Sequence, residues 1–221
     1  MNPVPVLTLD GPGGVGKGTV GRILATRLGW HYLDSGALYR IVALAALRAG
    51  LDEHQVISIV RLIPHLDVTF EGQVIHLGDE DVTTAIRGAT VSELASALAV
   101  YPEIRAALNG RQQGMRRMPG LVADGRDMGT VVFPDAQYKV FLVASPEERA
   151  RRRYKQLKQQ GINANLTQLS DELRKRDARD AGRRVAPLRP AAEAIVIDTS
   201  DRTPGQVADR VLGLMLGSSR K

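Results

Sequence analysis

The chain has 221 residues, no cysteine, and a formal charge of +6 in which arginine supplies most of the positive side. That length suits one substantial domain with insertions, and the missing thiols exclude disulfides, thiolate metal sites and a cysteine nucleophile, in keeping with a reducing cytoplasm. Arginine's rigid fork favours phosphate and carboxylate ligands, whereas the few aromatics do not interleave with the basic residues as nucleic-acid stacking platforms would.

No apolar run approaches the roughly 18 residues that span a bilayer, and the start of the chain lacks a charged lead into a signal core. His31, His54, His65 and His76 are scattered without metal-ligand spacing. The expectation is a cytoplasmic monomer with neither nucleic-acid nor membrane partners.

In chain order, the apolar run 4–9 predicts a strand, and Val20, Ile23, Leu24 and Leu28 predict an amphipathic helix ending at Gly29. Between them stand Gly11, Pro12, Gly13, Gly14, Val15, Gly16, Lys17, Gly18 and Thr19. Strand, glycine-rich loop and helix make a phosphate cradle, in which backbone N–H groups and the positive helix end converge on anionic oxygens. Lys17 adds a point charge for the β- and γ-phosphates. A standard P-loop has a hydroxyl residue directly after the lysine; here Gly18 stands there and Thr19 follows. The plainer alternative is a glycine-rich turn that binds nothing.

Residues 30–33 predict a second strand, turned by Asp34-Ser35-Gly36 into a helix over 37–47, and an amphipathic segment follows over 53–63. Period-two alternation over 66–70, a turn at Glu71-Gly72 and a return over 73–77 predict a hairpin, so 66–86 reads as a small β insertion. Helices are expected over 90–100 and from Pro102. Leu121-Val122-Ala123-Asp124 reads as a buried strand ending on a carboxylate, where ligands of parallel sheets bind, although capping a turn is a common task for such an aspartate.

The next strand spans 138–144, and Ser145-Pro146-Glu147-Glu148 combines an N-cap, a proline at the first helical position and a capping-box glutamate. That helix runs to Gly161, with Arg149, Arg151 and Arg152 read as a solvated face and Arg153 as a donor contact. Another arginine-rich helix covers 167–181, a strand 194–197 and a final helix 204–216, leaving 217–221 frayed. Arg176, Arg179, Asp180 and Arg183 share an arc of roughly 60–100° on a helix of 3.6 residues per turn. A stripe of paired surface charges would have the same spacing. The alternation of strands and helices predicts a parallel α/β sheet with right-handed crossovers.

Four stretches together resemble bacterial cytidylate kinases: 11–19, Leu33-Asp34-Ser35-Gly36-Ala37-Leu38-Tyr39-Arg40, Ala123-Asp124-Gly125-Arg126-Asp127-Met128-Gly129-Thr130, and 176–187. The Lys-Gly-Thr ending of the first is shared by nucleoside monophosphate kinases, and the other three are more specific. The resemblance implies a P-loop kinase with a five-stranded parallel sheet flanked by helices, a monophosphate-binding region with a β insertion, and a short lid. The core would comprise 1–34, 118–150 and 185–221, the monophosphate-binding region 35–117 with its insertion at about 66–86, and the lid region 151–184.

The same resemblance implies ATP as donor, Mg2+, and CMP or dCMP as acceptor. Residues 11–19 would hold the donor phosphates and Asp124 would orient magnesium-bound water. Lys17, Arg126, Arg176, Arg179 and Arg183 would supply the catalytic cations. Acceptor contacts would fall on Ser35, Arg40, Arg87 and Arg126 near the monophosphate. Ser96, Arg105 and Asp127 would surround the base, and Arg176, Asp180 and Arg183 the sugar and phosphates. The match is weak over 103–117 and after Pro204, so Arg105 rests on its spacing after Tyr101-Pro102. Another small-molecule P-loop kinase of similar size is the nearest alternative; a nucleic-acid-binding P-loop ATPase would share the loop, but the Asp34-Ser35-Gly36 and Arg126-Asp127 acceptor motifs argue against it.

Overall fold

A computed structural model describes residues 3–218 apart from 73, 160 and 162. Gln73, expected to open the returning hairpin strand, Gln160 near the expected end of the Arg149-bearing helix, and 219–221 of the frayed tail lie outside the described residues. The chain divides into two compact units, Met1–Leu33 with Met115–Lys221, and Asp34–Gly114.

The larger unit is built on a five-stranded parallel sheet. Its strands are β1 (Val6–Asp10), β2 (His31–Asp34), β6 (Leu121–Asp124), β7 (Tyr138–Val143) and β8 (Ile195–Asp198), in the order β2-β6-β1-β7-β8. Strand β1 is central, and all five of its residues are buried, as covering a parallel sheet on both faces requires. Its register sets Leu9 beside Asp124 on β6 and Asp10 beside Phe141 on β7. The ends of β1 and β6 therefore deliver Asp10 and Asp124 to the same rim of the sheet.

Helices α1 (Lys17–Leu28), α6 (Pro146–Gln159), α7 (Leu166–Ala181) and α8 (Pro204–Ser218) flank the sheet. Leu24, Val20, Val207 and Val211 join Leu7, Leu9 and Leu142 in its buried core. Two of these helix starts, those of α6 and α7, are capped by a local side chain. The Ser145 hydroxyl accepts the Glu148 N–H at 3.2 Å, while the Asn165 side chain accepts the N–H groups of Thr167 and Gln168 at 2.9 and 3.2 Å. The capping-box role expected of Glu148 gives way to ion pairing, since its carboxylate faces Arg152 at 2.9 Å and Arg151 at 3.3 Å. Trp30 packs half-buried on this core, where a side chain on Gly120 would collide with its indole.

The smaller unit packs α2 (Ser35–Arg48), α3 (Val56–Leu62), α4 (Ala89–Leu98) and α5 (Pro102–Gly114) beside an antiparallel sheet of β3 (Val68–Glu71), β4 (Val74–Leu77) and β5 (Glu80–Asp81). Helix α2 starts at Ser35 rather than Ala37, because the Asp34 carboxylate accepts the Ala37 N–H at 2.9 Å and so caps two residues earlier than the sequence suggests. Helix α3 is shorter than 53–63. Asp52 accepts the His54 N–H and Gln55 accepts the Asp52 N–H, which holds those residues in a turn. Strand β5 adds to the expected hairpin, and at two residues it offers no periodicity to read. No helix among the described residues is long and apolar enough to cross a membrane.

Candidate active site

Between β1 and α1 the loop takes left-handed backbone at Gly14 (φ 82°) and Gly16 (φ 92°). The close approach of β7 excludes any side chain at Gly11, where a Cβ would collide with the Leu142 carbonyl oxygen. Gly16 opens α1 without a side-chain cap, and no acidic residue occupies the first turn. The helix end therefore keeps its positive character for an anion. Lys17 is buried, and its Nζ donates to the Pro12 carbonyl at 2.9 Å, folding the side chain back over the loop. Burial, and then the charge of Arg126, pushes its amine down to about 7, against the opposing pull of Asp124.

Asp124 is buried at the end of β6, and its Oδ2 accepts the Tyr32 hydroxyl proton at 3.0 Å. The same oxygen would lie 3.6 Å from a Cβ on Gly18, so the carboxylate stands against the first turn of α1. Tyr32 has no counterpart in the sequence reading. Its one outward signal was an aromatic in β2, a residue type that ordinarily serves packing alone.

Arg126 reaches over the loop, its Nη2 lying 3.7 Å from where a Cβ on Gly13 would be. Its Nε donates to Asp180 Oδ2 at 3.1 Å, and Asp180, 1 % exposed, also pairs with Arg183 and approaches Arg176 at 4.0 Å. One buried carboxylate thus gathers three of the expected arginines. Arg179 stays exposed on α7 and outside this cluster.

Asp127 is buried, and the N–H groups of Met128 and Gly129 donate instead to Asp10, both at 2.8 Å. Asp10 therefore caps the Met128-Gly129 turn, and Asp127's own carbonyl accepts from Val131 and Val132 in a π-helical turn, Met128–Val132. Burial drives the Asp10 carboxyl up to about 7, opposed by those two backbone donors and reinforced by the nearby Asp127 charge.

Two arginines read as solvated are not. Arg149 is 5 % exposed, donates to the Gly13 carbonyl at 3.2 Å and pairs with Asp177 at 2.6 Å. Arg152 is half-buried and donates to the Val15 carbonyl at 3.4 Å and to the Thr199 hydroxyl at 3.1 Å. The polar stripe on α6 is spent on the loop's outer carbonyls, a destination that helical periodicity cannot reveal. Arg151 is exposed as expected, and Arg153 donates to Gln156 at 3.1 Å.

In the smaller unit, Asp34 also holds Arg40 at 3.2 Å, and Ser35 donates to Gln112 Oε1 at 2.7 Å. A Cβ on Gly36 would press on both Asp34 and Arg40, at 3.2 and 3.3 Å. Arg105 is buried and donates to the Ala99 carbonyl at 3.3 Å, while Arg87 is exposed at the end of a short 3-10 turn, Ala85–Arg87. Arg40 Nε and Ser96 Oγ are buried without a hydrogen-bond partner among the described residues. Buried donors left open in this way are met by water, an ion or a ligand.

A family model for cytidylate kinase matches residues 7–216. The chain belongs to the cytidylate kinase family. It is 54 % identical over 218 residues to a cytidylate kinase of Stutzerimonas stutzeri (strain A1501), covering 96 % of this chain and 95 % of that one. Against a cytidylate kinase of Burkholderia vietnamiensis (strain G4 / LMG 22486) it is 53 % identical over 212 residues, covering 96 % and 93 %. A crystal structure of an uncharacterized protein from Eubacterium ventriosum ATCC 27560 shares the fold, with a TM-score of 0.51 at 9 % identity over 97 % of this chain and 99 % of that one. Cytidylate kinase activity follows from the family and from relatives this similar.

Proposed function

We propose that the chain transfers the γ-phosphoryl group of ATP to CMP, and to dCMP, by direct in-line displacement, acting as a cytoplasmic monomer. The observation that carries the reading is the Arg126 guanidinium over the glycine-rich loop, tied through Asp180 to Arg183 and Arg176. Transfer between two nucleotides needs no covalent nucleophile; it needs positioning, and cations on oxygens that carry migrating charge. Lys17 would act on the β- and γ-oxygens, and Arg126, Arg176 and Arg183 on the phosphoryl group in flight, with Arg179 joining from α7.

Residues 11–19 suit the triphosphate through their glycine-rich backbone and uncapped helix end. Ser35, Arg40, Arg87 and Arg126 would hold the monophosphate, Ser96, Arg105 and Asp127 the base, and Asp180 the sugar, with the open donors of Arg40 and Ser96 supporting this assignment. A magnesium ion also fits. Asp124 offers a buried carboxylate oriented by Tyr32 beside the side-chain-free Gly18, and Mg2+ keeps most of its water and takes phosphate oxygens, so one carboxylate reached through water is enough. When bound it would neutralise charge between the β- and γ-phosphates.

Steady-state assays with ATP plus CMP, dCMP, UMP or AMP, each against ATP alone, test the reading. CMP and dCMP should give turnover far above the others. Turnover with ATP alone that equals the rate with CMP would establish an ATPase instead.

A further inference from the structure

Arg149 lies outside the four stretches that carry the family resemblance, yet it is among the most buried charges of the chain. It reaches in two directions: Nη1 donates to the Gly13 carbonyl at 3.2 Å, and Nη2 stands 2.6 Å from Asp177 Oδ2 on α7. Its main chain also presses on the loop. A Cβ on Gly14 would lie 3.0 Å from Arg149 Cβ and 3.2 Å from its carbonyl oxygen. Arg149 is almost wholly removed from water while Asp177 stays 25 % exposed, so desolvation of the guanidinium offsets much of the attraction, and a pair placed here calls for another reason.

That reason lies in what each partner leaves open. Arg149 Nε and Asp177 Oδ1 are both buried without a hydrogen-bond partner among the described residues. The contact is single where an arginine and a carboxylate are able to make two parallel bonds. Room remains for it to tighten. Meanwhile the trans peptide sets the Gly13 carbonyl and the Gly14 N–H antiparallel, so holding the one on Arg149 aims the other. A phosphate that takes the Gly14 N–H shifts this peptide, and with it the guanidinium that α7 is paired to.

We propose that Arg149 and Asp177 form a latch through which the loop 11–19 and helix α7 respond to one another, so that donor binding sets the helix that bears Arg176 and Arg179 and leads into Arg183. Both are positioning residues and neither touches nucleotide. The latch rests on the reading of 11–19 as the donor cradle.

The test uses the full chain, Mg2+ and the non-hydrolysable β,γ-imido analogue of ATP. Calorimetry measures binding, and hydrogen exchange follows residues 166–181 with the analogue saturating. In the wild type, the analogue alone should slow exchange across α7. In Asp177→Asn, which keeps shape and removes charge at a side chain 25 % exposed, affinity should fall about tenfold, the scale of coupling between linked sites. The slowing should be lost even at saturation. Arg149→Lys, which keeps charge without the fork, should behave alike and serves if Asp177→Asn folds poorly. The double variant should add no further loss. A purely structural pair would lower the melting temperature while leaving the analogue's effect on α7 intact, and that result, or additive losses, overturns the latch. An analogue that fails to bind the wild type overturns the donor cradle itself, a distinct outcome from one that binds while α7 responds regardless of Asp177.

Discussion

At the scale of single residues, Lys17 is poised rather than permanently charged, since burial and Arg126 hold its amine near 7 before any anion arrives. A triphosphate favours the ammonium, so above pH 7 binding must bring a proton with it, and donor affinity should fall as pH rises through that window toward the ordinary lysine range. Calorimetry at pH 8 in buffers of differing ionisation enthalpy should report net uptake in the wild type, reduced in Lys17→Met. The same variant, folded by circular dichroism, should lose about 10²–10³-fold in kcat, as removal of a cation or donor from developing charge does; wild-type turnover would remove the loop from the chemistry. Asp127 is proposed to face cytosine, which offers an N4 amino donor beside the N3 acceptor where uracil reverses both. Mispairing of that kind reaches about 10⁴-fold in specificity. Asp127→Asn, able to present donor or acceptor, should lower kcat/KM for CMP and narrow the gap to UMP. An unchanged ratio would pass discrimination to Ser96 and Arg105.

Among the elements, those with long periodic signals were legible within a residue or two. Strand β6 falls on Leu121–Asp124 as read, and α7 and α8 begin one residue before and on the expected positions. What escaped has a common physical character. The π-helical turn at Met128–Val132 depends on Asp10, over a hundred positions away in sequence, taking two of its N–H groups. Arg149 and Arg152 were assigned to solvent because a helix pattern shows which face is polar, not what that face meets. The gathering of Arg126, Arg176 and Arg183 on Asp180 lay partly within reach, since helical spacing puts 176, 180 and 183 on one side although α7 ends at Ala181, just before Arg183; the fourth residue comes from beyond β6. The elements expected to respond to ligand are the β3–β4–β5 sheet and α7. Hydrogen exchange should slow in both when an ATP analogue and CMP are present together, and only partly with either alone, as water is excluded from the transferred group. Unchanged exchange in both segments with both ligands bound would rule out a lid.

For the molecule as a whole, two compact units mean that ligands need not stabilise the chain uniformly. CMP at about a hundred times its Kd adds about 2.7 kcal/mol to what it binds, or a melting shift of about 5–10 °C for a chain of this size. UMP at equal concentration should give a distinctly smaller shift in differential scanning calorimetry; equal shifts would argue against a cytosine-selective site. The one tryptophan of the chain gives this experiment a second reading. Trp30 belongs to the unit of residues 1–33 and 115–221, seated on its core with its indole against Gly120. Its emission is thus a built-in optical label for that unit, whereas helix ellipticity sums both. The gap between the two melting curves, taken with and without CMP, measures how far one part of this kinase is able to melt while the other holds.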